Sequence, residues 1–429
     1  MPTLRTSPPC TLSILAALLC APACTGGGAG ADATAASSGG STTADAPTTG
    51  DGPTTDAPPT DTGDTVDTVD PSSATTTGAP GEAVGCDGAP LLAVPEDSSL
   101  AGPWPVGART VQVGGLTAEV WYPAEPGSDA GAQPLRYDIR TALPDAEQGK
   151  ISDAKNPWQD CACARDLPID AAHGPYPAVV FVHGTAGFRS QSLEIVTHWA
   201  SRGFVVIAAD HPGLWLKDLL GSLCGVKAPA QQLDADITAL VDGLAAPAGD
   251  LAFLAGHVDG ARLGMSGHSA GGFAIEDQGA RAQVLIPMAA AGTKAGAALK
   301  STLVLGAQSD AVVDYGGQQS GYASSPARKR LVGIANAGHL AFSSLCSLHN
   351  ADGQDFLEIA KEFDVCGALL AGALFDCKPT YTPDAINWAI TNAASSAVLE
   401  ETLHCSATAA DFAALQARYP EIGELAEAL

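Results

Sequence analysis

Five runs, PAVVFVHG, GFVVIAAD, ARLGMSG, RAQVLIPMAA and KSTLVLGAQSD, each carry a short, nearly unbroken apolar stretch that gives way to small or polar turn residues. A strand that is apolar on both faces belongs inside a parallel sheet covered on each side. The intervening segments have helical spacing, as in the stretch from Ser190 to Arg202 and in QLDADITALVDGLAA. Strand and helix in alternation predict an α/β chain built on a mostly parallel, doubly wound sheet with helices on both faces. Upstream, TVQVGG and LTAEVWYP alternate apolar and polar residues around Gly114-Gly115 and read as a hairpin whose second strand ends at Tyr122-Pro123. The stretch from Ala124 to Tyr176 is polar and broken by proline, and it assigns to no element. KRLVGIAN reads as the last strand, with helices around INWAITNAASSAVLEETL and ADFAALQARY closing the fold.

The ends of the chain obey different rules. After the lone Arg5, TLSILAALLCAPAC is apolar but too short to span a bilayer, which is the pattern of an export signal. Its end at Cys24, in A-P-A-C-T-G-G-G, resembles a bacterial lipoprotein cleavage box in which Cys24 becomes the lipidated first residue; Cys20 is a weaker second candidate, and plain secretion is the alternative. Residues 1–24 are therefore read as a signal with a lipobox. Residues 25–85 are Gly, Ser, Thr, Ala, Asp and Pro with almost no large apolar side chain, which cannot offset the entropy of ordering and reads as a solvated tether. DTGDTVDTVD, residues 61–70, repeats an acid every third position, whereas calcium loops of the EF-hand type alternate acids and use a Gly and a bidentate Glu at fixed positions, so this run too reads as solvated linker. Residues 86–429 form the predicted folded domain.

The net charge of −26 repels nucleic acid and anionic membranes over most of the surface, so neither is an expected partner. Any membrane contact is assigned to a lipid on Cys24, and the chain is expected to act as a monomer. Apart from Cys10, Cys20 and Cys24, eight cysteines remain. In an exported chain an even number reads as disulfides, in any of about 105 pairings. Cys161 and Cys163, one residue apart, have no zinc-knuckle spacing, and no metal or organic cofactor is expected.

The chemistry concentrates at Gly267-His268-Ser269-Ala270-Gly271, a G-x-S-x-G pattern that follows an apolar strand. Such a turn exposes a serine on strained backbone, and its flanking glycines avoid collision with strand and helix. The N–H of Ala270, at a helix N-terminus, is placed to meet a developing oxyanion. A serine needs a base and a group that orients the base, expected in the chain order serine, acid, histidine. Asp310 follows the strand STLVLGA, with Asp314 as the fallback acid, and His339 follows KRLVGIAN. A second oxyanion donor is expected from Thr185, after Gly184 in FVHGTAGF. His183 reads as a structural residue bonded to its own loop, Asp210-His211-Pro212-Gly213 as a turn at the pocket rim, and His268 as a packing residue facing away from the Ser269 hydroxyl. Cys346, seven residues beyond His339, is expected to pair with Cys366, Cys377 or Cys405 and to restrain the loop of the base.

YPAVVFVHGTAGF, SRGFVVIAADHPG, RLGMSGHSAGGF, LVLGAQSD and NAGHLAF, in this order, resemble the serine esterases grouped with platelet-activating-factor acetylhydrolases, bacterial polyester hydrolases of the cutinase type and exported dienelactone-hydrolase-like proteins. The likeness runs from PWPVGARTVQV to at least Cys346, more than half of the chain. It implies an α/β-hydrolase fold, a triad that falls on Ser269, Asp310 and His339, and oxyanion donors that fall on Thr185 and Ala270. Two departures stand out. Dienelactone hydrolases use a cysteine nucleophile where this chain has Ser269. Polyester hydrolases carry a tryptophan near the place of Met288 and an aromatic residue at the place of Thr185. The expected activity is hydrolysis of a small, lipid or polymer carboxylic ester through an acyl-enzyme, by a protein exported and tethered to the cell envelope. Acyl transfer by the same residues, and ligand binding on an inactive hydrolase scaffold, are the alternatives.

Overall fold

The computed structural model describes residues 81–406 and 411–429. The signal, Cys24 and nearly all of the tether lie outside them. Two short antiparallel strands, β1 (Glu82–Val84) and β2 (Pro90–Leu92), open the described chain, so regular structure begins within the stretch 25–85 read as tether.

Among the described residues the main sheet has eleven strands: β3 (Val106–Val113), β4 (Leu116–Pro123), β5 (Pro134–Tyr137), β6 (Gln159–Arg165), β7 (Tyr176–Val182), β8 (Val205–Ala209), β9 (Val258–His268), β10 (Val284–Met288), β11 (Ser301–Ala307), β12 (Lys329–Ile334) and β13 (Ile422–Ala428). Their order is β13-β12-β11-β10-β9-β7-β8-β4-β3-β6-β5. The block from β8 through β12 is parallel, and antiparallel strands flank it on both sides. This is the α/β-hydrolase fold.

The continuous apolar runs are explained by what covers them. Val179 and Phe181 of β7 pack with Trp199 of the helix Leu193–Ser201 and Leu399 of the helix Asp384–Leu403. Their neighbours Ala178, Val180 and Val182 point the other way, to Leu240 and Leu244 of the helix Leu233–Ala245. Alternate residues of one strand thus enter two separate cores, so both sets must be apolar. Strand β7 lies between β8 and β9, and the chain moves outward from it in opposite directions. The carboxyl ends of β7 and β9, at such a reversal, are where sheets of this kind bind ligands.

A third apolar cluster roofs the carboxyl edge, joining Phe188 after β7, Leu340 after β12, Leu216 and Leu220 of the helix Leu216–Leu223, and Ile139 and Ile359. The polar stretch 124–176 supplies part of this roof and also the strands β5 and β6, which sequence periodicity does not reveal. Cys224–Cys366 and Cys346–Cys377 staple the roof, while Cys86–Cys405 and Cys161–Cys163 complete the pairing of the eight cysteines. Cys346 therefore pairs with one of its three expected partners.

The hairpin reads correctly, since β3 and β4 pair through Gly114 (φ 58°) and Gly115 (φ 86°). The last strand does not, because β13 follows KRLVGIAN and pairs antiparallel with it. IGELAEA has a helix-favouring composition, but edge pairing overrides propensity. Glu427 bonds Arg330 at 3.0 Å, and Glu424 accepts the Tyr315 hydroxyl at 2.9 Å. Among the described residues no helix is long and apolar enough to cross a membrane.

Candidate active site

Strand β9 ends at His268 and a short helix begins at Ala270, so the chain reverses at Ser269. Ser269 has φ 54° and ψ −121°, a conformation that a residue with a Cβ holds only when its surroundings impose it. Its N–H donates to the Met288 carbonyl at 2.9 Å, and its own carbonyl accepts the Phe273 N–H at 3.0 Å. The glycines are there because backbone touches backbone. A Cβ on residue 267 would lie 2.4 Å from the Gly271 carbonyl carbon, and one on residue 271 would lie 2.1 Å from the Val182 carbonyl oxygen. Ala270 opens the helix, so its N–H has no carbonyl within the helix to meet.

Asp310 and His339 converge from the ends of β11 and β12. His339 Nδ1 lies 2.9 Å from Asp310 Oδ2, and both side chains are almost wholly buried. The remaining acceptor sites of the carboxylate are filled: Oδ1 takes the N–H groups of Val312 and Val313, both at 2.8 Å, and Oδ2 also takes the Gln318 side-chain N–H at 3.1 Å. Held on both oxygens, Asp310 can neither rotate nor donate, so His339 Nδ1 must carry the proton and Nε2 keeps its lone pair. Asp314, the fallback acid, instead precedes the helix Tyr315–Ser324, where its carbonyl accepts the Gly317 N–H at 3.0 Å.

Thr185 lies on the loop after β7, beside the serine turn. A Cβ on Gly184 would sit 3.1 Å from the Ser269 Cβ and 2.9 Å from His268 Nδ1, so only glycine permits this approach. The loop is pinned twice. His183 Nε2 accepts the His211 N–H at 3.1 Å, which leaves the proton on Nδ1 for the Gly184 carbonyl at 2.8 Å. Gln191 Oε1 accepts the Gly184 N–H at 3.2 Å, and Gln191 Nε2 donates to His268 Nδ1 at 3.0 Å. His268 Nε2 then donates to the His339 carbonyl at 2.8 Å, with the two imidazoles tilted together at 4.7 Å. Burial, reinforced by the neighbouring rings, holds His183 and His268 neutral with pKa values of about 3. His268 is thus more than packing, because it links the Gly184 loop to the backbone of His339.

At the rim, Asp210 is bonded to Arg189, and His211 Nδ1 lies 3.1 Å from Asp236. Burial raises the Asp210 carboxyl against the opposing pull of Arg189. Met288 is fully buried and offers no aromatic surface to a ligand. The residues that sequence reading overlooks are Gln191, Gln318, Asp376 and Tyr381, all of which bond the loops rather than extend a strand pattern.

The α/β-hydrolase fold thus carries a strained serine after β9 and a buried acid–histidine pair after β11 and β12. The family model of platelet-activating factor acetylhydrolase, isoform II, a serine esterase family, matches residues 158–213. That segment runs from β6 through the Thr185 loop to Gly213, and Ser269, Asp310 and His339 lie beyond it. Among solved structures, a ferulic acid esterase from Streptomyces cinnamoneus is 19% identical, covering 72% of this chain and 93% of its own, with a TM-score of 0.47. Comparison with curated proteins yields no match.

Proposed function

We propose that this protein is a carboxylic-ester hydrolase that acts through an acyl-enzyme on Ser269. The observation that carries the reading is the 2.9 Å bond between buried His339 Nδ1 and Asp310 Oδ2, which fixes the tautomer a general base requires. The Ser269 hydroxyl attacks the ester carbonyl as His339 Nε2 takes its proton. The imidazolium is stabilised by Asp310 and returns the proton to the leaving alcohol. Water, activated by the same imidazole, then attacks the acyl-enzyme and releases the acid. The N–H groups of Thr185 and Ala270 receive the oxyanion of each tetrahedral intermediate, each worth on the order of 3 kcal/mol of barrier. The fixed Gly184 loop and the helix start at Ala270 support that assignment.

We place the protein outside the cytoplasm, a reading supported by the four disulfides among its described residues, since such bonds form and persist in oxidising compartments. A lipid on Cys24 and the long polar stretch behind it would make the enzyme a tethered one.

Turnover of p-nitrophenyl acetate and butyrate tests the reading. Wild type is expected to release nitrophenol at least about 1,000-fold faster than Ser269→Ala. Equal rates in the two proteins would end the hydrolase assignment.

A further inference from the structure

Asp376 belongs to no sequence motif and lies 37 residues beyond His339, yet it touches both loops of the acid–base pair. Its Oδ2 accepts the backbone N–H of His339 at 3.1 Å and that of Ala311, next to Asp310, at 3.3 Å. One carboxylate oxygen therefore spans the loop of the base and the loop of the acid. Its Oδ1 accepts the Tyr381 hydroxyl at 3.0 Å, and that hydroxyl lies 3.2 Å from the carbonyl of Ser309. The Tyr381 ring covers Gly338 so closely that a Cβ there would lie 2.1 Å from Cε2.

The segment carrying these groups is itself anchored. Cys377 is bonded to Cys346, and the Thr382 N–H donates to the Asn336 carbonyl at 2.9 Å. Burial alone would raise the Asp376 carboxyl, but the N–H of His339, the Tyr381 hydroxyl and the N–H of Ala311 outweigh it and hold the group below the usual carboxylate range. Asp376 is thus ionised at neutral pH, and hydrogen bonds to an ionised acceptor are the strong ones.

We infer that Asp376 is a positioning residue: it fixes the separation of the Asp310 and His339 loops, so that the imidazole stays aimed at Ser269. The inference rests on the proposed roles of those three residues. A misplacement of about 1 Å between reacting groups costs on the order of 100-fold in rate, which sets the expected effect.

The test uses the full chain with its disulfides intact. Asp376→Ala is expected to lower kcat for p-nitrophenyl butyrate about 100-fold with KM changed by less than about threefold, because alignment and not binding is lost. Asp376→Asn, whose amide oxygen can still accept both backbone N–H groups, is expected to stay within about tenfold of wild type. A second readout needs no turnover: the low-field imidazole N–H proton of His339, identified by its absence in Asp310→Asn, should persist in wild type and Asp376→Asn and be lost in Asp376→Ala. If Asp376→Ala does not fold, Tyr381→Phe takes its place, with kcat expected to fall about tenfold at unchanged KM. Wild-type kcat together with an intact low-field proton in whichever of these two variants folds would overturn the inference. A wild type that cleaves no ester, but whose low-field proton disappears on Asp376→Ala, would refute the hydrolase reading and leave the positioning role standing.

Discussion

Replacing Asp310 by asparagine is expected to lower kcat/KM for nitrophenyl esters about 10,000-fold without unfolding the protein. The reason is specific to the bonds on this carboxylate. Oδ1 accepts two backbone N–H groups, from Val312 and Val313, so an asparagine must place its oxygen there. Its NH2 then faces His339 Nδ1, which is forced to accept. The proton moves to Nε2, and the base loses the lone pair that Ser269 needs. Steady-state kinetics with a melting curve for each protein check the result. An Asp310→Asn enzyme within tenfold of wild type would show that another acid orients His339.

Stability is expected to collapse in mild acid, and the sign follows from four buried histidines. His183, His268 and His404 are held at about 3 and His198 at about 4, in each case first by burial. Each bonds a backbone carbonyl through a ring nitrogen, His404 to Gly203 and His198 to Ser98. A histidine depressed from 6.5 in the folded state contributes its stability in full above pH 6.5 and loses it as the pH falls toward the folded value. The unfolded chain takes up the proton first. Each group removes on the order of 1.4 kcal/mol per pH unit below 6.5, and four together about 6 kcal/mol per pH unit. The raised carboxyls Glu194, Asp210, Asp384 and Glu400 act in the opposite sense: the folded chain takes up their protons first, between their raised folded values and about 4, and so offsets part of the loss. Against a domain stability of about 5–15 kcal/mol the loss is decisive. Tm should fall by about 10 °C or more between pH 7 and pH 5. A flat Tm over that interval would mean that these rings ionise within the fold.

How far the site could be read in advance depended on where each residue sits. Ser269, Asp310, His339 and Thr185 each follow a buried strand, and apolar runs ending in glycine or acid mark such positions in a sequence. The serine turn is the clearest case, because Gly267, Gly271 and Gly272 are all required by backbone contact. Gln191, Gln318, Asp376 and Tyr381 sit on loops or within helices and act through hydrogen bonds that no periodicity encodes. His268 sits in the best-marked motif of the chain, but its role depends on Gln191 and on the His339 carbonyl, which only the folded chain brings to it. In the fold, the buried strands declared themselves, while β13 at one edge and β5 and β6 at the other did not, since strands at the margins of a sheet are held by pairing and not by a two-sided apolar pattern. The disulfide pairing had to come from geometry, which seats Cys377 against Cys346 and carries Asp376 to the two loops in the same step.

A nucleophilic Ser269 activated by His339 can be trapped covalently without knowledge of the substrate. The folded protein would be treated with a fluorophosphonate, digested with trypsin and mapped by mass spectrometry. One adduct is expected, on Ser269 within the peptide 263–281, abolished in Ser269→Ala and strongly slowed in Asp310→Asn. No adduct on the folded wild type, or an adduct on any other residue, would rule out Ser269 as the activated nucleophile.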